Sequence, residues 1–149
     1  MAERHLEVLN VLRNELKEAL LNVEYLAGRR ILVIKVDKAS IIRAIDALNK
    51  ISGGEAHLTT ISGADLGTAD VELTYFMWLI PQRLRVIIKT VLPKSELKIQ
   101  SVVNVAPAAI LYEREVYEML GVVFNGHPKL ERLFLPEDWP EGVYPLRRD

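Results

Sequence analysis

The sequence contains no cysteine. Disulfide bonds, thiolate zinc sites, cysteine-ligated iron-sulfur clusters and cysteine nucleophiles are therefore excluded for this chain. Histidine is also scarce, because His5, His57 and His127 are the only three. None of them is spaced from another as two metal ligands on one helical face would be. We expect no metal site and no cofactor held by the chain itself.

The chain has no excess of charge of one sign and no long hydrophobic run. Nineteen basic residues stand against twenty acidic ones, a balance that argues against a nucleic-acid-binding protein. The most apolar stretch, Leu73–Ile80, has eight residues, whereas a membrane-spanning helix needs about 20. The first ten residues mix charges in a way that is not typical of a signal peptide. We therefore expect neither export nor a direct membrane span.

Motifs of known catalytic chemistry are missing as well. The sequence has no G-x-G-x-x-G, no phosphate-binding loop and no G-x-S-x-G nucleophile motif. Glu113, Glu115 and His127 leave one enzymatic alternative, acid-base chemistry on a small molecule in a cleft. Arg114 lies four residues before Glu118, however, a spacing typical of helical ion pairs. We predict no catalytic residue, and we keep the small enzyme and a regulatory binding domain as alternatives.

The pattern of apolar residues predicts one α+β domain. A chain of 149 residues, half of them hydrophobic, is long enough to bury its own core. Steps of three and four between leucines indicate helices, and β-branched or alternating runs indicate strands. The predicted elements are a helix over Glu3–Asn22, a strand over Ile31–Val36, a helix over Ile41–Leu48 that ends at Ser52-Gly53-Gly54, and strands over Ala56–Ser62, Val71–Ile80 and Leu84–Leu92. The predicted fold is a mixed β-sheet of about four strands with helices packed on it, over residues 1–120.

A third helix is predicted between Pro107 and Gly121, because proline favours the first helical position and glycine the position after the last. Its predicted core face comprises Ala109, Tyr112, Val116, Met119 and Leu120. The opposite face carries Ile110, Leu111 and Tyr117 beside charged side chains. Either the following residues fold back over this second face, or another protein covers it, and both can hold at once.

The C-terminal segment, residues 121–149, has no steady apolar period. It carries four of the seven prolines, which fix φ, remove hydrogen-bond donors and reduce the entropy lost on docking. Its aromatic side chains are suitable anchors, and its arginines are suitable donors to carboxylates. We therefore expect an extended segment that packs on a partner.

The residues around this segment resemble those of the NADH:quinone oxidoreductase C-subunit family. The matching motifs are Glu113-Arg114-Glu115, Glu118-Met119-Leu120-Gly121, Phe124, Gly126-His127-Pro128, Leu130, Arg132 and Pro145-Leu146-Arg147-Arg148-Asp149. The order and spacing agree with the family over about the last forty residues. Four positions depart from the family pattern, namely Glu118, Leu120, Lys129 and Glu131. The charge partners in a neighbouring subunit are therefore expected to differ from those in respiratory complex I.

The resemblance implies a function that composition does not. It implies a hydrophilic subunit without cofactor, packed against the large catalytic subunit and neighbouring iron-sulfur subunits of a complex I-like assembly. The Leu135–Tyr144 stretch looks like the branch found in membrane-bound, energy-converting [NiFe] hydrogenases and related ferredoxin-dependent complexes. A respiratory NADH/quinone oxidoreductase is the alternative. The implied location is peripheral, at the cytoplasmic face of the cell membrane, in support of electron transfer coupled to ion translocation.

The resemblance and the residue types together predict a partner interface. The predicted interface residues are Glu113, Arg114, Glu115, Tyr117, Glu118, Phe124, His127, Arg132, Phe134, Trp139, Tyr144, Arg147 and Arg148. Phe134 and Trp139 are equally compatible with a local core.

Overall fold

The computed structural model describes residues 4–149. Its main feature is a five-stranded mixed sheet of order β1-β2-β5-β4-β3, in which β2 and β5 are parallel and the other neighbours are antiparallel. A small parallel pair, β6 and β7, lies beside α3. The elements are α1 (Arg4–Leu16), β1 (Leu20–Leu26), β2 (Ile31–Val36), α2 (Ile41–Ile51), β3 (Ala56–Asp65), β4 (Asp70–Leu79), β5 (Leu84–Pro93), β6 (Lys98–Gln100), α3 (Ala109–Leu120) and β7 (Val123–Asn125).

Strict alternation along the central strands decides which side chains enter the core. In β4 the buried residues are Val71, Leu73, Tyr75, Met77 and Leu79, which alternate with less buried residues and so share one face of the strand. Helices α1 and α2 pack on each other, and their buried residues join the sheet in one hydrophobic cluster. The α+β class with a mixed sheet and packed helices is confirmed.

One predicted boundary is wrong. The helix expected over Glu3–Asn22 ends at Leu16 within the described residues, and Leu20–Leu26 is instead the edge strand β1. Lys17 adopts a left-handed φ of 49°, which a continuing helix does not allow. The strand pairs antiparallel with β2 through a short turn. Sheet pairing therefore overrides the leucine period, and the sheet has five strands instead of about four.

The other predicted elements lie close to their observed bounds. The Pro81-Gln82-Arg83 turn joins β4 to β5 as an antiparallel hairpin. The glycines after α2 take positive φ, and Gly54 N–H donates to Asn49 O at 2.8 Å. Helix α3 begins two residues after Pro107, and Gly121, with φ 81°, caps its end in the left-handed conformation. No helix among residues 4–149 is long and apolar enough to cross a membrane.

Candidate partner interface

Helix α3 lies directly on β3 because Gly63 has no side chain. A Cβ at Gly63 would collide with the Leu120 side chain and lie 3.3 Å from Val116 Cγ1. Ala109, Val116 and Leu120 of the predicted core face are buried, and Tyr112 and Met119 are half-buried. On the opposite face Ile110 and Leu111 remain exposed. The helix thus has one face in the domain and another available to the C-terminal segment and to solvent.

Glu113 lies in the core of the domain. Its Oε1 accepts a hydrogen bond from Ser101 Oγ at 2.5 Å, and its Oε2 accepts one from the Val102 backbone N–H at 2.9 Å. Burial raises the pKa of Glu113, and these two hydrogen bonds oppose that rise. Phe124 in β7 is also buried. Neither side chain is accessible in this structure, so we do not include them in the surface proposed below.

Two charged side chains of α3 hold the backbone that follows β7. Arg114 Nε donates to Glu131 O at 3.0 Å, and its Nη2 donates to Arg132 O at 2.7 Å. The carboxylate of Glu118 is buried and accepts from Phe134 N–H at 2.9 Å and from Leu135 N–H. Hydrogen bonds to charged groups of this kind each stabilise by about 1.5–3 kcal/mol. The C-terminal segment therefore does fold back over part of the second face of α3.

Beyond Leu135 the segment forms a loop closed by its own side chains. Arg132 Nη1 donates to Trp139 O at 2.5 Å, and Trp139 Nε1 donates to Val143 O at 2.9 Å. The Tyr144 ring then lies over Gly121, where a Cβ would come within 2.7 Å of Cε2. Half-buried Tyr117 lines a cavity of about 310 Å³ between α3 and this loop. The loop is thus ordered by the chain itself.

The last residues of the chain are bound to Asp65, at the C-terminal end of β3. Asp65 is buried at that point, and its Oδ1 contacts two donors, Lys94 Nζ at 2.8 Å and Gly67 N–H at 2.9 Å. Its Oδ2 accepts from Arg148 N–H at 2.6 Å and lies 3.8 Å from Arg147 Nε. The pKa of Asp65 lies well below its usual range. The Lys94 ammonium is the largest cause of this lowering, and the Arg148 N–H is the second. This carboxylate is therefore charged at neutral pH and binds the chain end.

Arg147 makes a second connection between the chain end and α3. Its Nη1 donates to Leu120 O at 3.3 Å, one of the helix carbonyls without an intrahelical partner. The other two nitrogens of this guanidinium, Nε and Nη2, donate to the Asp149 carboxylate at 2.8 and 2.6 Å and thereby lower the pKa of Asp149. Leu146 N–H adds a hydrogen bond to Met119 O at 3.0 Å. The Pro145–Asp149 motif is consequently bound within the chain.

His127 closes the turn that leads into the segment. Its Nδ1 accepts from Lys129 N–H at 2.9 Å, so the proton lies on Nε2, which donates to Ile110 O at 2.8 Å. Both ring nitrogens of His127 are therefore occupied, as are both carboxylate oxygens of Glu113. Glu115 is exposed on α3 and makes no ion pair among residues 4–149. The cluster required by the enzymatic alternative is not assembled as a free acid and base.

The ordered segment leaves apolar side chains directed to solvent. Phe134 is 66% exposed, although its own backbone is held by Glu118. Val143, Leu146 and Leu111 are each about half exposed. Trp139 and Tyr144 are half-buried, and the Arg148 residue is exposed. These exposed apolar side chains are candidates for contact with another protein.

Sequence reasoning missed the residues that anchor the chain end. Asp65 and Arg148 are 83 positions apart, and Lys94 belongs to a third segment, so no local spacing connects them. Gly63 lies one residue beyond the strand predicted over Ala56–Ser62, and its close contact with α3 was not predicted. The one available signal was the Pro145–Asp149 motif, which indicated that the end is bound but not what binds it. No group of side chains suited to a metal ion occurs in the described part of the chain.

Comparison with protein families gives a match over most of the chain. The model described as "Respiratory-chain NADH dehydrogenase, 30 Kd subunit" matches residues 34–149. The C-subunit of NADH-quinone oxidoreductase from Acidothermus cellulolyticus is 36% identical over 104 residues, 70% of this chain and 50% of the relative. The C/D-subunit of the same enzyme from Photorhabdus laumondii is 34% identical over 126 residues, 78% of this chain and 21% of the relative. The chain thus spans half or less of the length of these relatives.

Two solved structures share the fold. A chain of the membrane-bound sulfane sulfur reductase, an archaeal respiratory membrane complex, aligns with a TM-score of 0.79 at 22% identity, over 96% of this chain and 82% of that chain. The trypsin-resistant fragment of Nqo5 aligns with a TM-score of 0.67 at 23% identity, over 85% of this chain and 99% of that chain. At these identities the likeness shows the architecture alone.

Proposed function

We propose that this chain, which belongs to the family of the 30 kDa subunit of respiratory-chain NADH dehydrogenase, is a scaffold subunit without an active site. It packs against the large catalytic subunit, beside iron-sulfur subunits, of a membrane-bound complex I-like oxidoreductase. That assembly is an energy-converting [NiFe] hydrogenase or a related ferredoxin-dependent complex. The chain lies peripherally at the cytoplasmic face and supports electron transfer coupled to ion translocation.

The observation that supports this proposal is the contrast between backbone and side chains in the C-terminal segment. The backbone at Phe134 is fixed by Glu118, whereas the Phe134 ring is 66% exposed. A rigid aromatic group presented in this way loses little conformational freedom when it enters a partner's pocket. The surface of the proposed interface comprises Arg114, Glu115, Tyr117, His127, Arg132, Phe134, Trp139, Tyr144, Arg147 and Arg148. Glu118, whose carboxylate is buried, is left out together with Glu113 and Phe124.

The interface is tested by a substitution that leaves the fold unchanged. Phe134→Ala in the native complex is expected to release the subunit, because a buried interface anchor contributes about 2 kcal/mol or more. Leu21→Ala is the matched control, since Leu21 is 57% exposed on β1, far along the chain from the segment. Stoichiometric co-purification of the Phe134→Ala chain with the large subunit would contradict the proposed anchor.

A deletion tests the docking role of the whole loop. Removal of Leu135–Asp149 is expected to leave the sheet and α2 folded, because no residue after Phe124 is fully buried. The truncated chain is expected to dissociate from the complex. Circular dichroism of the isolated chain checks the fold, and affinity purification from detergent-solubilised membranes checks the association. A truncated chain that still co-purifies in equal amount shows that docking occurs elsewhere.

A respiratory NADH/quinone oxidoreductase is the second candidate, and the 36% identity to the C-subunit from Acidothermus cellulolyticus favours it. The two candidate complexes differ in the subunits that accompany this chain. Purification of the native protein from solubilised membranes identifies these companions by mass spectrometry. A nickel-binding large subunit supports the hydrogenase, whereas a quinone-site subunit supports the respiratory enzyme.

A further inference from the structure

A group of arginines gathers at one end of the sheet, away from the C-terminal segment. The turn between β1 and β2 carries Arg30, and the turn between β4 and β5 carries Arg83. The parallel pairing of β2 with β5 brings these turns together, and Arg85 N–H donates to Arg30 O at 3.2 Å. Arg4 reaches the same place from α1, where its Nη1 donates to Pro81 O at 3.1 Å.

These side chains line a depression of about 350 Å³. Its lining is Arg4, Arg30, Pro81 and Arg83, with no carboxylate among them. Within residues 4–149, none of the three arginines lies within ion-pair distance of an acidic side chain. Three guanidinium groups around a concave surface, with no ion pair to a carboxylate of residues 4–149, produce a locally positive field in a chain of net charge -1.

The backbone at this place is strained. Arg30 has φ 54° and Arg83 has φ 48°, in the left-handed region that only glycine, asparagine and aspartate enter easily. Glycine would form either turn at lower conformational cost. Residues in such conformations are frequently retained for function. The two strained arginines face one depression, which is an independent indication that their guanidinium groups have a use there.

We propose that this depression binds a phosphate group. A guanidinium presents forked donors that match phosphate oxygens two at a time. A terminal phosphate group carries up to two charges and three acceptor oxygens, so it can engage several guanidinium groups at once, whereas a carboxylate or a phosphodiester has two free oxygens and one charge. The phosphate belongs either to a soluble molecule or to the headgroup of an anionic lipid. This site is separate from the proposed partner interface and does not depend on it.

Glycine substitutions test the proposal without disturbing the turns. Arg30→Gly and Arg83→Gly remove a guanidinium and relieve the left-handed strain. Lys17→Gly is the matched control, because Lys17 is an exposed cation with φ 49° outside this depression. All three variants of the full chain are expected to keep the wild-type unfolding midpoint or to raise it.

Two probes distinguish the sources of phosphate. Calorimetric titration with inorganic pyrophosphate at low salt tests the soluble source, and flotation with phosphatidylcholine vesicles containing phosphatidic acid, compared with pure phosphatidylcholine vesicles, tests the lipid source. For the probe that binds, Arg30→Gly and Arg83→Gly are each expected to weaken binding about tenfold or more, and Lys17→Gly is expected to leave it unchanged. The proposal is overturned if neither probe binds, if all variants bind equally, or if polyglutamate alone binds, which would indicate an acidic protein partner.

Discussion

Residues 4–120 and the C-terminal segment are stabilised by different interactions. In the first region, alternating aliphatic side chains are removed from water, as in β4 and β5. In the second, Val122 and Phe124 are buried, and the later residues are held by hydrogen bonds that Arg114 donates and that Glu118 and Asp65 accept. Burial of hydrocarbon gives a core that unfolds cooperatively, whereas a few polar anchors give a segment that is able to open locally. A surface that must fit a partner benefits from the second arrangement.

The largest effect is expected from the core of the first region. Leu73→Ala removes a fully buried side chain in the interior strand β4, and we expect a loss of about 2–5 kcal/mol in the free energy of unfolding. Urea denaturation followed by circular dichroism measures this. The exposed control Leu21→Ala is expected to change the value by less than about 0.5 kcal/mol. Equal effects of the two substitutions would show that burial of aliphatic side chains is not what stabilises the first region.

A smaller and more local effect is expected from Glu118→Ala. It removes the acceptor of the Phe134 and Leu135 N–H groups, at a cost of about 1–3 kcal/mol. Amide hydrogen exchange is expected to accelerate at Phe134 and Leu135 while Tyr75 in β4 stays protected. Glu115→Ala, on the exposed part of the same helix, is the control. Uniform acceleration across the sheet would show that the segment and the core unfold together.

The chain end is expected to respond to the charge of Asp65. Because its pKa is lowered in the folded chain, Asp65 contributes stability above the unfolded pKa of about 3.9, and that contribution is lost as the pH falls below this value. Asp65→Asn is expected to release Arg147–Asp149 already at neutral pH, seen as a change in the Arg148 amide resonance. Asp46→Asn, in an exposed pair with Lys50, is the control. An unchanged Arg148 resonance in Asp65→Asn would show that the contacts of Arg147 are enough to hold the chain end in place.

The smallest effect on stability is expected from Phe134→Ala. The ring is 66% exposed, so its removal is expected to change the free energy of unfolding of the isolated chain by less than about 0.5 kcal/mol. The same urea denaturation measures this. A loss of about 1 kcal/mol or more would place the ring in the chain's own core and weaken its role as an interface anchor.

Features that depend on neighbouring residues could be predicted from the sequence. The strands over Val71–Ile80 and Leu84–Leu92 and the glycine that ends α3 depend on the pattern of adjacent residues, and the structure has them close to where they were expected. The helix predicted from the leucine spacing at the start of the chain is wrong beyond Leu16. Residues 20–26 pair with the next strand, β2, and this pairing gives them an extended conformation. Sheet pairing therefore outweighs the helical spacing of the leucines.

By itself, the sequence determined the α+β class, the location of most helices and strands, and the absence of cysteine chemistry, because these follow from composition and from spacings of a few residues. Only the tertiary structure decided that Glu113 is buried, that Asp65 binds the chain end, and that Arg4, Arg30 and Arg83 share one depression. The physical reason is distance along the chain. Electrostatic and hydrogen-bonding partners act across a few ångströms of space, and the fold brings these partners together from separate segments.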